Sequence, residues 1–224
     1  SSSIKTAGIA MDDAIVKHVR RKHGVIIGAS TAEDVKIQIG CVYPRSEVSM
    51  IVKGRDSKNG VPRELMLSSS EICEVLIRMG RQIAMQAAIC GYPVALQDAF
   101  PEGLEKAKAW AEEYLAGRIA KGRMTEEQVA GIKARLRFEN DLEAAVKGAD
   151  LIIEAIFEDL DLKKDLFRKI CAIVPEDVIL ATNASVHPSS KLADAVTNPS
   201  RLCNMHFYNP ALVMKFVEIV QGPH

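Results

Sequence analysis

Asp150-Leu151-Ile152-Ile153-Glu154, followed across a charged segment by Val178-Ile179-Leu180-Ala181-Thr182, decides the fold of this chain. Both runs are short, continuously apolar and end in polar residues, the pattern of strands buried on both faces of a parallel sheet. A third run, Val94 to Gln97, ends at Asp98 in the same way. Helical patterns separate them: Leu104 to Leu115 carries a charged face, and Thr125 with Gln128 opens another helix with a capping box. Strands alternating with helices predict an α/β, doubly wound sheet, in which ligands collect at the carboxyl ends of the strands.

Upstream the pattern changes. Met11, Ala14, Ile15 and Val19 recur at helical spacing before Gly24, and Ser30 with Glu33 forms a capping-box pattern for a second helix. Val48 to Lys53 and Arg63 to Leu67 flank Asn59-Gly60, a hairpin signal because both residues tolerate positive φ. These residues predict a small α+β helix-helix-hairpin unit. Ser68 and Glu71 then start a helix in which Ile72, Val75, Leu76, Met79, Ile83 and Ala87 keep one period, so a single helix is expected from about Glu71 to Cys90.

Composition narrows the function classes. Acidic and basic residues balance at 29 each, which disfavours nucleic acid and anionic membrane surfaces as partners. Five cysteines (Cys41, Cys73, Cys90, Cys171, Cys203) are scattered without metal-ligand spacing, so no metal site is expected and the thiols suit a reducing compartment. No apolar run approaches a membrane span, and Ser1-Ser2-Ser3 opens no leader pattern, which together predict a cytoplasmic protein.

Near the end, His206 lies in Asn204-Met205-His206-Phe207-Tyr208-Asn209-Pro210 and Glu218 in Lys215-Phe216-Val217-Glu218, on neighbouring apolar runs. An imidazole with a carboxylate beside it can take a proton from a hydroxyl. A histidine beside Asn-Pro is also compatible with a structural turn, and Asn209 reads as a turn residue.

From Met79 onward the chain resembles the NAD-binding domain of the 3-hydroxyacyl-CoA dehydrogenases. The resemblance rests on Met79-Gly80-Arg81-Gln82-Ile83-Ala84, Gly91-Tyr92-Pro93-Val94-Ala95-Leu96-Gln97-Asp98, Ala149 to Asp159, Ala181-Thr182-Asn183-Ala184-Ser185 and Met205 to Pro210, in the family's order. It implies a Rossmann-like domain over residues 78–224, NAD as cofactor, an acyl-CoA substrate, a homo-oligomer and a helical C-terminal domain that this sequence does not include. By the same carry-over His206 is the base, Glu218 orients it and Ser185 holds the reacting oxygen. Gly80 is the last glycine of the phosphate turn, Asp98 accepts the ribose hydroxyls, and Glu158 and Lys163 lie near the cofactor. Capping of a following turn is the alternative for Asp98, and solvated surface the alternative for Glu158 and Lys163.

Residues 1–77 resemble instead one subdomain of the bacterial actin MreB, through Ala7 to Ile15, Thr31 to Gly40 and Val52 to Asp56. In that resemblance Glu33 and Lys36 lie near a nucleotide, or on a solvated helix face when the facing subdomain is missing. The junction breaks the dehydrogenase pattern. Alignment on Gly80 puts Val75 and Ile77 where G-x-G-x-x-G requires its first two glycines, and helical residues where its first strand belongs. The sheet is therefore expected to be incomplete, lacking its first strand and glycine loop. Two outcomes follow: an impaired dehydrogenase, or a catalytically inert fusion with a scaffold or interaction role. A rescue remains open, in which Arg63 to Leu67 replaces the strand and Ser68-Ser69-Ser70 the turn.

Overall fold

The computed structural model describes residues 15–39, 48–156, 159–184, 187–208, 210–214 and 216–223. The first unit comprises a helix over 15–23 (α1), β1 (Val25–Ile26), α2 (Ala29–Ile39), β2 (Ser49–Asp56) and β3 (Pro62–Ser68). Its strands form an antiparallel sheet in the order β1-β2-β3, with Met50 opposite Leu67 and Val52 opposite Leu65. Ile15, Val19, Val25, Val35, Val52 and Leu67 make its core. The Met11 and Ala14 end of the expected first helix lies outside the described residues. The second helix begins at Ala29, so Ser30 sits inside its first turn rather than capping it.

The hairpin forms, by a longer loop than Asn59-Gly60 alone suggests. The Asp56 carboxylate accepts the amides of Lys58 and Asn59, and Gly60 alone of the turn pair takes positive φ, at 73°. A side-chain-capped loop replaces the two-residue turn because Asp56 supplies an acceptor that a backbone turn would otherwise provide.

Next comes α3 (Ser69–Ile89), a single 21-residue helix of about 32 Å at 1.5 Å per residue. Ser68 caps it by accepting the amide of Glu71. Its beginning belongs to the first core through Ile72, and its end to a second core, where Met85 and Ala88 meet Ala111, Leu115, Val129 and Ile132. The helix expected from the unbroken apolar period is thus present. The rescue is not: β3 pairs antiparallel with β2, Ser68 is the helix cap, and Ser69 Oγ accepts the amide of Val48.

The rest alternates as expected: β4 (Val94–Gln97), α4 (Pro101–Ala120), α5 (Glu126–Arg135), β5 (Leu136–Glu139), α6 (Leu142–Val146), β6 (Leu151–Glu154), α7 (Leu160–Cys171), β7 (Ile179–Thr182), β8 (Leu202–Phe207) and β9 (Val217–Gln221). Thr125 and Gln128 complete the capping box of α5. Helices α3, α4 and α5 pack together, while α6 packs against α7. A third core, with Val146, Phe167, Ile170, Leu180 and Leu202 in it, lies under β6 to β8.

The strands form two sheets. β4 and β5 pair in parallel; β6, β7 and β8 pair in parallel, and β9 closes the edge antiparallel to β8. In the doubly wound order 3-2-1-4-5-6, β4 and β5 take places two and three, and β6, β7 and β8 take places four to six. Place one, between β4 and β6, holds no paired strand among the described residues.

One polar cluster ties the first unit to α3. His18 Nε2 and His23 Nε2 lie 2.8 and 2.6 Å from Glu71 Oε1, with Lys22 Nζ at 3.4 Å. Burial pushes the Glu71 carboxyl up, but the bonds from His23 and His18 and the charge of Lys22 outweigh it and hold the group below its ordinary value of 4.5. A depressed carboxylate contributes stability above its unfolded-state pKa and loses it as pH falls through the lower folded value. Glu71→Ala should cost about 1–3 kcal/mol near neutral pH by removing the carboxylate acceptor that His18 and His23 share. Urea unfolding at pH 7 and at pH 3.5 should show that penalty shrinking in acid.

Candidate functional site

The β8–β9 register assembles the expected pair. His206 stands directly opposite Glu218, and cross-strand partners share one face of a sheet. His206 Nδ1 and Glu218 Oε2 are 4.0 Å apart, an ion-pair separation longer than a hydrogen bond. His206 is buried at 4% exposure, whereas the Glu218 side chain is 24% exposed, so the carboxylate remains open to solvent. The Tyr208 ring lies 5.2 Å from the imidazole, and Phe216 packs edge-on against Tyr208 at 5.0 Å.

A cavity of about 270 Å³ nearby is lined by Gln86, Phe207, Leu212, Met214 and Val217 among others. Phe207 pairs with Val217, and successive strand residues face opposite sides. That cavity therefore opens on the face away from His206 and Glu218.

The carboxyl ends of β6 and β7 hold a buried network whose members the sequence pattern only partly exposed. Lys163, on α7, donates from Nζ to Glu154 Oε1 at 2.8 Å and to the Ile156 carbonyl at 3.2 Å. Thr182 Oγ1 donates to Glu154 Oε2 at 2.7 Å and accepts the Ala184 amide. The Ile156 amide reaches Glu154 Oε1 at 2.6 Å. Lys163 is 1% exposed, so the solvated-surface alternative fails for it. Its ammonium is engaged inside the fold, where it braces the turn after β6. Glu158 lies outside the described residues.

Ser185 also lies outside the described residues, but its loop is held on both flanks. Asn183 Oδ1 accepts the Phe207 amide at 2.9 Å, and the Asn204 side chain accepts the Ser189 amide and donates to the His187 carbonyl. These bonds fasten the loop to β8, the strand that carries His206. Glu154, Thr182, Asn183 and Asn204 escaped the sequence reading. The only signal was that each is a polar residue within or just after an otherwise apolar run.

Asp98 follows β4, and its carboxylate turns toward the start of α4. Phe100 donates its amide to Asp98 Oδ1 at 3.0 Å, and a Cβ on Gly103 would sit 2.2 Å from Asp98 Oδ2. The Asp98 carboxylate thus caps the turn into α4, and Gly103 is what lets it lie against the helix.

Gly80 lies within α3, eleven residues into the helix. A Cβ there would meet only the Cβ of Ala155, at an ordinary 3.8 Å. A dinucleotide fold needs glycine at such a turn because the pyrophosphate and the preceding strand approach the backbone closely. Here the helix runs uninterrupted past Gly80, and β3 passes into it through Ser68 with no glycine turn, so the residues present do not fit a pyrophosphate in the usual way. Glu33, offered by the other resemblance, is solvent-exposed.

The profile of the 3-hydroxyacyl-CoA dehydrogenase NAD-binding domain matches residues 78–224, and that of the MreB/Mbl proteins matches residues 1–96. The chain is 36% identical over 156 residues to a Bacillus subtilis protein described as "Probable 3-hydroxybutyryl-CoA dehydrogenase", covering 68% of this chain and 54% of that one. It is 38% identical over 144 residues to 3-hydroxyadipyl-CoA dehydrogenase of Escherichia coli, covering 64% of this chain and 30% of that one. The crystal structure of 3-hydroxybutyryl-CoA dehydrogenase from Escherichia coli superposes with a TM-score of 0.61 at 37% identity, over 63% of this chain and 30% of that one. The chain belongs to the 3-hydroxyacyl-CoA dehydrogenase NAD-binding domain family, a family whose cofactor is NAD, and bears an MreB-like segment at its start. It spans about half or less of the curated relatives it matches.

Removing one partner of a buried ion pair costs about 3–5 kcal/mol, while replacing both with apolar groups costs far less. Lys163→Met should lose stability in that range by urea denaturation, and the Glu154→Leu/Lys163→Met double variant should recover only part of it, because the Thr182 hydroxyl and the Ile156 amide then lose their acceptor.

Proposed function

We propose that this chain carries the acid/base part of a 3-hydroxyacyl-CoA dehydrogenase site on a nucleotide domain that has lost its pyrophosphate turn. It then holds NAD weakly and turns over its 3-hydroxyacyl-CoA substrate class at a negligible rate. The single observation behind this reading is α3, which runs as unbroken helix over Ser69–Ile89 where the family's turn requires strand and glycines.

His206 in this reading takes a proton from a substrate hydroxyl, and Glu218, opposite it, stabilises the imidazolium that results. General-base action of this kind contributes roughly 100 to 10,000-fold. Ser185 is the hydrogen-bond partner of the reacting oxygen, Asp98 that of the adenosine ribose and Glu158 that of the nicotinamide ribose, with Lys163 near the cofactor or the CoA portion. The family similarity supports each role, as does the placement of His206 near the end of β8 and of Asp98 just after β4.

Magnitudes decide between family and chain. Charge-assisted hydrogen bonds contribute about 1.5–3 kcal/mol each, and micromolar affinity amounts to only ~8 kcal/mol. Losing several bonds to the pyrophosphate therefore removes most of the affinity. The chain as it stands is best read as a dehydrogenase-derived scaffold, joined to an actin-like unit and residing in the cytoplasm.

Calorimetric titration with NADH, beside an Asp98→Ala control, tests this. The expected outcome is no saturable heat below about 100 μM from a protein that melts cooperatively. Binding tighter than that, abolished in the control, would overturn the reading and return acetoacetyl-CoA reduction as the activity to measure.

A further inference from the structure

The end of β8 carries His206 past the strand beside it. β7 pairs with Leu202, Cys203 and Asn204, whereas Met205, His206 and Phe207 have their strand partners in β9 alone among the described residues. A two-stranded ribbon is marginal by itself, and β9 is exposed at four of its five residues. Yet this overhang is what sets His206 opposite Glu218. At 4.0 Å, His206 Nδ1 and Glu218 Oε2 lie beyond hydrogen-bond reach, so their separation follows from where the two main chains are held.

Two buried asparagines supply the support that β7 no longer gives. The Tyr208 amide is donated to the Phe216 carbonyl, and alternate amides of a strand point to opposite edges, so the Phe207 amide points to the β7 side. There Asn183, the residue after β7, accepts it on Oδ1 at 2.9 Å, in the place of a strand carbonyl. The amide of Asn183 is itself donated to the Glu154 carbonyl at 2.7 Å, which roots the residue in β6. Asn204 reaches the other way, from β8 to the segment after β7. Its Oδ1 accepts the Ser189 amide at 2.6 Å, and its Nδ2 donates to the His187 carbonyl at 3.1 Å, with the Ala184 carbonyl at 3.5 Å. A carboxamide offers an acceptor oxygen and two N–H donors, and Asn204 uses both kinds on one stretch of main chain. Asn183 and Asn204 are 4% and 8% exposed. Residues two apart on a strand share a face, so Asn204 and His206 project on the same side of β8.

We propose that Asn183 and Asn204 are positioning residues for the acid/base pair, a reciprocal clamp between β8 and the segment after β7 that keeps the His206 imidazole in register with the Glu218 carboxylate. One grips β8 just after His206, and the other is anchored on β8 just before it. Both side chains are neutral, so they fix the strand without adding a charge to the site. This role rests on the acid/base reading of His206 and Glu218, and it is independent of how NAD is held.

The test reads the His206 ring nitrogens by NMR in the 15N-labelled whole chain at pH 7, with their signals assigned by their loss in His206→Gln. Glu218→Gln removes the facing charge, and the change it causes in the His206 nitrogen shifts measures how closely the pair is held. A clear change is expected in the otherwise unaltered chain. It should fall below about half in the Asn183→Ala and Asn204→Ala backgrounds and return in Asn183→Asp, which keeps an acceptor for the Phe207 amide. A full-sized change in both alanine backgrounds would overturn the clamp even where urea midpoints drop, because the asparagines would then be stabilising contacts only. No change in the unaltered chain would instead sink the acid/base reading, and the role of the clamp with it. Where an alanine variant does not fold cooperatively, the serine variant at that position replaces it. Amide exchange in the unaltered chain decides separately: Phe207 and Ser189 amides that exchange at unfolded-chain rates would overturn the clamp whatever the variants do.

Discussion

Helix α3 is the constraint on which the rest depends, because one rigid element belongs to two cores. Its first turn is clamped by Ser68 and by the His18, His23 and Glu71 cluster, and Ile72 sits in the core of the first unit. Its last turns deliver Met85 and Ala88 to the core formed with α4 and α5. A helix cannot bend to accommodate a tight glycine turn without breaking its hydrogen bonds, and no proline or glycine pair interrupts this one. The continuity that joins the two units therefore occupies the stretch of chain that a dinucleotide-binding fold uses for its first strand and phosphate loop.

Consequences for the sheet and the site diverge. The sheet is split because its central place has no described strand, yet each half keeps correct pairing and its own apolar support. The pairing of His206 with Glu218 is local, since β8 and β9 lie at one edge of their sheet and take their register from each other. The Glu154, Lys163 and Thr182 network is likewise local to β6, α7 and β7. Both sets of contacts are fixed by near neighbours, so neither depends on how the two sheets are joined.

Much of this was legible in residue patterns. The runs ending at Gln97, Glu154 and Thr182 became β4, β6 and β7, and the apolar period from Ile72 to Ala87 became α3, because burial on one stripe or on both faces leaves a periodic mark. β5 was missed: Leu136-Arg137-Phe138-Glu139 alternates at a half-exposed edge and directly follows α5, so its pattern merges with the helix. The hairpin loop and the start of α2 were misplaced by a few residues because local capping, by Asp56 in the first case, competes with the motif chosen from sequence.

By itself, the sequence determined the element types, the helical continuity across residues 69–89, the identity of the two joined families and the residue types of an acid/base pair. Those are properties of local periodicity and of motif order. Tertiary structure alone decided that His206 stands opposite Glu218, that Lys163 is buried against Glu154 rather than solvated, that Asp98 turns onto α4, and that β4 and β6 belong to separate sheets. Each of these depends on strand register or on packing between segments distant in sequence, where the energy of a side chain is set by partners that no local pattern names.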